Sequence, residues 1–388
     1  MVLTKTDTTI TASTDLSKIC FPVGVMLYAA INCPLNTHFS ATMLPGTKFA
    51  SFVLGPKIGQ GAFGEIYAVR SASNKVLAIK IEQVSNERPS LEFEAAVMKR
   101  LQTSPYFPQF DSFGRIKNLQ WLSMELLGPS LSTVLKRLPE RKLSYSTAIR
   151  TISYTLKGIE DMHNRGYIHR DIKPSNILLR RSRDFPIAII DFGLARIYID
   201  RQIHQHLPPR RHPGFRGTAV YASIHAHLYE DLSRRDDLIS WFYLLIDLIN
   251  GTLPWKNFET RPQILHCKRQ TKMSTVIPAD LPQLIEIWDH ISGLGFEDVP
   301  DYGFIHQQLD AVCRDHNIRI DDEFDWHPQI LQMDGTDEMA FESQRRIESS
   351  DVSTERTFSA SKVKTKRVND EALLPTHQED PDCCCNIL

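Results

Sequence analysis

Asp171, Lys173, Asn176 and Asp191 are the residues of this chain best spaced to do chemistry. They fall in His169-Arg170-Asp171-Ile172-Lys173-Pro174-Ser175-Asn176 and, twenty residues past Asp171, in Asp191-Phe192-Gly193. A lone aspartate is ordinarily a cap or a loop acid. An aspartate two residues from a lysine, followed by an amide and a second aspartate, offers a proton acceptor, a cation and two hard oxygen donors for a divalent metal. That set suits transfer of a phosphoryl group, which asks the protein for an in-line acceptor and charge neutralisation rather than covalent help. Asp171 would take the proton of an acceptor hydroxyl and aim its oxygen. Lys173 would stabilise the moving phosphoryl group, and Asn176 and Asp191 would hold Mg2+.

A phosphate cradle lies upstream. Ile58-Gly59-Gln60-Gly61-Ala62-Phe63-Gly64-Glu65-Ile66 carries three glycines at G-x-G-x-x-G spacing, where a missing Cβ lets backbone N–H groups approach phosphate oxygens. Dinucleotide folds share this spacing but continue straight into a helix. Here a β-branched run follows, then a second one containing Leu77-Ala78-Ile79-Lys80. A lysine at a strand end is usually a surface charge; an inward-facing acid would distinguish this one. Pro89 opens a helical pattern with an apolar stripe through Leu91, Ala95, Met98 and Leu101, and Glu94 lies on that stripe while Glu92 turns toward Lys99. A buried carboxylate needs a cation. Lys80 is the expected partner of Glu94.

The elements that must position these groups follow from periodicity. Ile66 to Val69 and Val76 to Ile81 read as strands joined by Ser-Ala-Ser-Asn. Ile149, Ile152, Leu156, Ile159 and Met162 step by three and four, giving a helix that ends near Gly166. Leu238 to Ile249 is apolar nearly all round, the mark of a helix buried in a large core. The expected architecture is α+β: a small β-rich lobe, then a larger helical lobe. With 42% hydrophobic and 23% charged residues the composition is that of a globular protein, and a net charge of -1 gives no global field for nucleic acid. The seven cysteines form no Cys-x-x-Cys pair, which fits a reducing, cytoplasmic compartment. Ile19 to Cys33 is apolar but short, and broken by Pro22 and Gly24. Residues 1–47 read as a disordered extension, the folded part begins at Lys48, and the polar composition after Trp326 predicts a disordered tail over 327–388.

These motifs resemble the protein kinase superfamily and, more narrowly, its casein kinase I group. The narrower resemblance is carried by Met124-Glu125-Leu126-Leu127-Gly128-Pro129-Ser130-Leu131, Tyr221-Ala222-Ser223-Ile224, Arg234-Arg235-Asp236-Asp237-Leu238 and Phe324-Asp325-Trp326, over about Lys48 to Trp326. Gly214-Phe215-Arg216-Gly217-Thr218 leans toward the tau-tubulin kinase branch. The resemblance implies a bilobal kinase fold with ATP in the cleft, a hinge at Glu125 to Leu127, Met124 as gatekeeper and Ala78 beside the nucleotide. It implies that Asp237 anchors the catalytic-loop backbone, and Lys173 points to serine/threonine rather than tyrosine acceptors. The group usually has a basic residue where Val220 stands, so no sharply defined pocket for already phosphorylated substrates is expected. Arg196, Arg201, Arg210, Arg211 and Arg216 against Asp200 nevertheless predict an acidic-substrate bias. From Leu194 to Gly217 there is no serine or threonine, only Tyr198, so constitutive competence is expected.

The last four residues, Cys385-Asn386-Ile387-Leu388, fit a prenylation box, with Cys383 and Cys384 as palmitoylation candidates and Lys362, Lys364, Lys366 and Arg367 as a basic cluster. The expectation is a monomeric enzyme acting on proteins, tethered to the cytosolic face of a membrane. The rival reading, a catalytically dead scaffold, requires loss of Lys80, Asp171, Asn176 or Asp191, and all four are present.

Overall fold

The computed structural model describes residues 44–60, 64–84, 91–180, 182–200 and 202–326. The expected extension up to residue 43, the loop tip Gly61, Ala62 and Phe63, Pro89, Arg201, and the tail with its basic cluster and Cys383, Cys384 and Cys385 lie outside the described residues.

The first part of the chain forms one antiparallel sheet. Its strands are β1 Lys48–Phe49, β2 Phe52–Gln60, β3 Gly64–Ser71, β4 Val76–Gln83, β5 Phe110–Ile116 and β6 Leu119–Glu125, ordered β1-β2-β3-β4-β6-β5. Hydrogen bonding reaches back before β1, since Gly46 N donates to Leu54 O at 2.7 Å and Leu54 N to Thr47 O at 2.9 Å. Period-two alternation sorts the side chains. Leu77, Ile79 and Ile81 of β4 pack with Tyr67, Val69, Phe52 and Trp121 in a core on one face. Ala78 and Lys80 fall on the other. Register places Lys80 opposite Ile66 and Leu122, and Ala78 opposite Ala68 and Met124. Helix α1, Leu91–Arg100, packs against β5 and β6 with Leu91, Glu94, Ala95, Val97 and Met98 buried.

The rest is mainly helical: α2 Leu131–Arg137, α3 Tyr145–Asn164, α4 Ile224–His227, α5 Arg234–Asn250, α6 Arg261–Gln270, α7 Gln283–Ser292 and α8 Tyr302–Asp315. Short strands β7 Tyr167–Ile168, β8 Ile177–Leu179, β9 Ile187–Ile189 and β10 Arg196–Ile197 pair as β8-β9 and β7-β10. Helix α3 starts where the Ser144 side chain accepts from Thr147 N, and Gly166, at φ 84°, turns the chain out of its last turn. Helix α5 is buried on every side from Asp236 to Ile249, as its all-round apolarity requires, and Trp241 Nε1 donates to Ile152 O of α3 at 2.9 Å. A strip of polar contacts closes the end of the domain: Asp325 accepts from Ser144 N and Oγ, and Phe324 stacks on Trp326 with centroids 4.4 Å apart. Among the described residues no helix is long and apolar enough to cross a membrane.

The two lobes are braced at the segment that joins them. Arg180, just after β8, donates from Nε and Nη2 to the Glu125 carboxylate at 2.8 and 2.9 Å, and from Nη1 and Nη2 to the carbonyls of Pro105 and Phe107. A guanidinium fork matches a carboxylate in two parallel bonds, so the contact fixes direction as well as distance. Gly128 N and Leu179 O, 2.9 Å apart, extend the same seam.

Candidate active site

The cleft between sheet and helices collects the expected groups from five separate segments. Lys80 Nζ donates to Glu94 Oε2 at 2.7 Å, with Glu82 Oε1 at 3.2 Å and Asp191 Oδ1 at 3.9 Å. Burial alone would lower the lysine's pKa, but Glu94, Asp191 and Glu82 hold it above the ordinary value, so it remains an ammonium. Burial pushes the Glu94 carboxyl upward and Lys80 opposes it. Removing either partner would strand a buried charge at a cost of about 3–5 kcal/mol. Glu92 does not turn to Lys99. It pairs with Arg115 of β5, because α1 lies across that strand, and Lys99 sits over the Phe110 ring instead.

Asp171 sits in a dense polar net. Lys173 Nζ donates to its Oδ2 at 2.6 Å, Thr218 Oγ1 donates to its Oδ1 at 2.8 Å, and Lys173 Nζ also reaches Thr218 Oγ1 at 3.0 Å. Asn176, in a single 3-10 turn, gives its Nδ2 to Asp171 O at 2.9 Å, which leaves its Oδ1 as the donor atom for a cation. Asp237 holds the loop from behind: its carboxylate accepts from His169 N at 2.6 Å, Arg170 N at 2.7 Å and His163 Nε2 at 2.9 Å. Arg170 and Asp191 both have positive φ, 67° and 68°. Such backbone costs about 1–3 kcal/mol per residue and persists where surroundings over-determine it. Phe192 is fully buried between the rings of Phe107 and His169, which fixes the turn that presents Asp191.

The other expected nucleotide contacts divide. Ile58, Gly59 and Gln60 end β2 and Gly64, Glu65 and Ile66 begin β3, with Gly59 opposite Ile66 and Gln60 opposite Glu65. Ala68, Ala78, Met124 and the buried Leu127 line the inner wall, where small side chains leave room for a planar ring. The Glu65 carboxylate is on the opposite face from Lys80, bonded to Lys57 Nζ and Tyr67 Oη, so its side chain is not brought to the site. Among the described residues no three His, Cys, Asp or Glu side chains converge as a complete metal cage. Asn176 and the half-exposed Asp191 supply two oxygens instead. A Mg2+ completed by phosphate and water oxygens fits that set.

Several contacts here carry no sequence signal. Those of Thr218 with Asp171 and Lys173 are one case. Another is Lys268 on α6, whose buried Nζ donates to the carbonyls of Ala219 and Ala222 at 3.0 and 2.5 Å and lies over the Tyr243 and Trp255 rings. Burial drives its pKa well below that of an ordinary lysine. His227 Nε2 shares Ala219 O, Trp255 Nε1 donates to Val220 O, and Tyr221 OH donates to Asp247. Together they clamp residues 217–223, the shelf beside Asp171. An alternating or periodic pattern cannot show that a helical lysine turns inward to carbonyls 49 and 46 positions away.

Gly217 is the tightest point of that shelf. Its φ is +95°, and a Cβ would stand 2.7 Å from Arg170 O. Gly217→Ala is therefore expected to push the shelf off the catalytic loop. Turnover should fall roughly tenfold or more, since each ~1.4 kcal/mol of misfit is a factor of ten. Wild-type kcat with an unchanged circular dichroism spectrum would show the contact is slack.

The protein kinase domain family matches residues 52–310 of this chain. A probable serine/threonine-protein kinase of Dictyostelium discoideum is 38% identical over 276 residues, 70% of this chain and 56% of the relative. The chain thus spans a little over half the length of that relative. The bilobal fold, the paired lysine and glutamate and the two-aspartate cleft agree with the extent of the family match: the chain belongs to the protein kinase family.

Proposed function

We propose that this chain transfers the γ-phosphoryl group of ATP to serine or threonine hydroxyls of other proteins. The observation that carries the reading is the Asp171–Lys173–Thr218 net, in which an acid, a cation and a hydroxyl meet within 3.0 Å at the mouth of the cleft. Protein kinase domains in general use ATP and Mg2+. In this chain Lys80, aimed by Glu94, would bind the α- and β-phosphates. Asn176 and Asp191 would hold Mg2+, which when bound neutralises phosphate charge. Asp171 accepts the acceptor hydroxyl's proton, and Lys173 faces the transferring group. Ile58, Gly59, Gln60, Gly64, Ala78, Met124 and Leu127 surround the nucleotide, with Glu125 in the hinge.

Lys173 favours serine and threonine over tyrosine, in line with the Dictyostelium relative, a probable serine/threonine-protein kinase. The motifs around Met124–Leu131 and Arg234–Leu238 support placement in the casein kinase I group, with a lean toward the tau-tubulin kinase branch. An acidic-substrate bias rests on Arg211 and Arg216, which are exposed beside the shelf, whereas Arg196 and Arg210 face Asp231. We read residues 48–326 as the catalytic domain.

The test is ATP-dependent labelling of an acidic protein acceptor by the purified full chain. Label should appear on serine or threonine and be lost in Asp191→Asn, whose amide cannot supply the charge a hard cation requires. Undiminished labelling by that variant would defeat the assignment. A panel of acidic and basic peptides phosphorylated at equal rates would remove the acidic bias alone.

A further inference from the structure

Between Leu194 and Gly217 no serine or threonine occurs, and the one tyrosine, Tyr198, is buried with its hydroxyl donating to His163 O at 2.7 Å. No hydroxyl of this stretch stands ready to receive an activating phosphate. Yet the segment meets the catalytic loop through the kind of arginine cluster that such a phosphate organises in other kinases. Arg170, adjacent to Asp171, donates from Nε and Nη2 to the carbonyls of Leu194 and Ala195 at 2.6 and 3.5 Å. It is buried, and Arg210, Arg196 and Arg216 press on it. Burial and that repulsion bring its pKa down to about 9. Four like charges do not hold one geometry without a counterion.

Asp231 supplies one. It lies on the connection between α4 and α5, outside the segment it serves, and its side chain is 2% exposed. Its Oδ1 accepts from Arg210 Nη2 at 2.9 Å, and its Oδ2 accepts from Arg210 Nε at 3.2 Å and Arg210 N at 2.9 Å. Arg196 Nη2 stands 3.9 Å from the same Oδ2, and Leu232 N donates to Oδ1 at 3.1 Å. Burial would raise this carboxyl, but the arginines hold it below the ordinary value, so it stays ionised.

We propose that Asp231 is a positioning residue that does permanently what a loop phosphate does reversibly: its carboxylate gathers Arg210 and Arg196 beside Arg170 and holds the activation segment clear of Asp171. The inference rests on the phosphotransfer reading and deepens it, by naming the built-in charge that replaces an activating modification. A phosphate carries about -1.5 to -2 charges and a carboxylate one, but a carboxylate shielded from water acts with less screening. The coupling runs through contacts already described. Arg170 fixes Leu194 and Ala195, directly after Asp191-Phe192-Gly193, and its own carbonyl abuts Gly217 on the shelf.

The experiment compares the purified full chain with Asp231→Ala and Arg210→Met, each assayed in sodium sulfate and in sodium chloride at matched ionic strength. Asp231→Ala is expected to lose about tenfold or more in kcat, within the usual range of such couplings, with KM for ATP unchanged. Sulfate, a dianion with the shape of phosphate, should restore its kcat saturably; chloride should not, and the wild type should not respond. A merely structural loss would not be recovered by one anion and not another. Arg210→Met keeps the carboxylate, removes its main partner, and should lose kcat comparably without sulfate rescue. Wild-type kcat in either variant, or equal effects of sulfate and chloride on Asp231→Ala, would overturn the proposal. An inactive wild type would overturn the phosphotransfer reading and this inference with it, whereas an active wild type with an unimpaired Asp231→Ala overturns the inference alone.

Discussion

Replacement of Asp171 by asparagine is expected to lower kcat about 10²–10⁴-fold, the range for loss of a positioned general base, while MgATP binding persists. The substitution changes almost nothing sterically. Lys80 and Glu94 lie in the other lobe, and of the two Asn176 Nδ2 contacts the variant keeps the shorter, to Asp171 O at 2.9 Å, and disturbs only the longer, to Oδ2 at 3.3 Å. What is lost is the acceptor for the substrate proton and the negative partner of Lys173, 2.6 Å away. With no carboxylate to face, the Lys173 ammonium and the Thr218 hydroxyl lose the atom that arranges them. The check is a steady-state kcat at saturating ATP beside a calorimetric Kd for MgATP. A variant within about tenfold of wild type in kcat would show that another group receives the proton. Equal loss of kcat and of nucleotide affinity would point to collapse of the loop instead.

The contrast between Glu94 and Glu92 shows how far the sequence could be read. Glu94 was legible because burial and periodicity are linked: a carboxylate on an apolar stripe must meet a cation, and the chain offers Lys80 at the end of a strand bound for the same core. Glu92, taken on its own helix, points toward Lys99, the first basic residue of that helix. Its actual partner, Arg115, comes from a strand whose packing against α1 no local pattern encodes. The same limit hid Arg180 and Lys268. Each is a basic residue in an ordinary polar surrounding, and each turns inward to carbonyls supplied by segments far off in sequence. Sequence periodicity states which face of an element is buried. It does not state which carbonyls will be waiting there.

Glu65 makes the converse point. Spacing placed it among residues around a nucleotide, and its backbone is indeed opposite Gln60 at the start of β3. Strand alternation, however, puts its side chain with Tyr67 and away from Lys80, so the carboxylate braces Lys57 on the outer face. Glycine-loop motifs are best read as backbone statements. The side chains they contain answer to the pleat.

Asp237→Asn is expected to damage stability and turnover together, and the two effects separate with pH. The carboxylate is fully buried and accepts three hydrogen bonds, from His169 N, Arg170 N and His163 Nε2. His163 is kept neutral by burial and passes the restraint on, since its Nδ1 meets Tyr302 OH of α8 at 2.5 Å. An asparagine must present its NH2 to one of the three donors, leaving a buried N–H without an acceptor. Leaving a buried donor unsatisfied costs about 1–3 kcal/mol. At roughly 2–4 °C per kcal/mol for a domain of this size, Tm should fall by about 2–12 °C. The loop that carries Asp171 would then be held less firmly, and a shift of ~1 Å can cost on the order of 10²-fold in rate. Burial would raise the Asp237 carboxyl, but His163 and the backbone donors hold it below its ordinary 3.8. Its contribution is therefore complete above pH 3.8 and is lost as the pH falls below that value toward the lower native one. The Tm gap between wild type and Asp237→Asn should accordingly stay constant from neutral pH down to about 4 and narrow below it. Thermal melts across that range decide the matter: a gap that closes already between pH 7 and 5 would mean that a histidine, not this aspartate, anchors the catalytic loop.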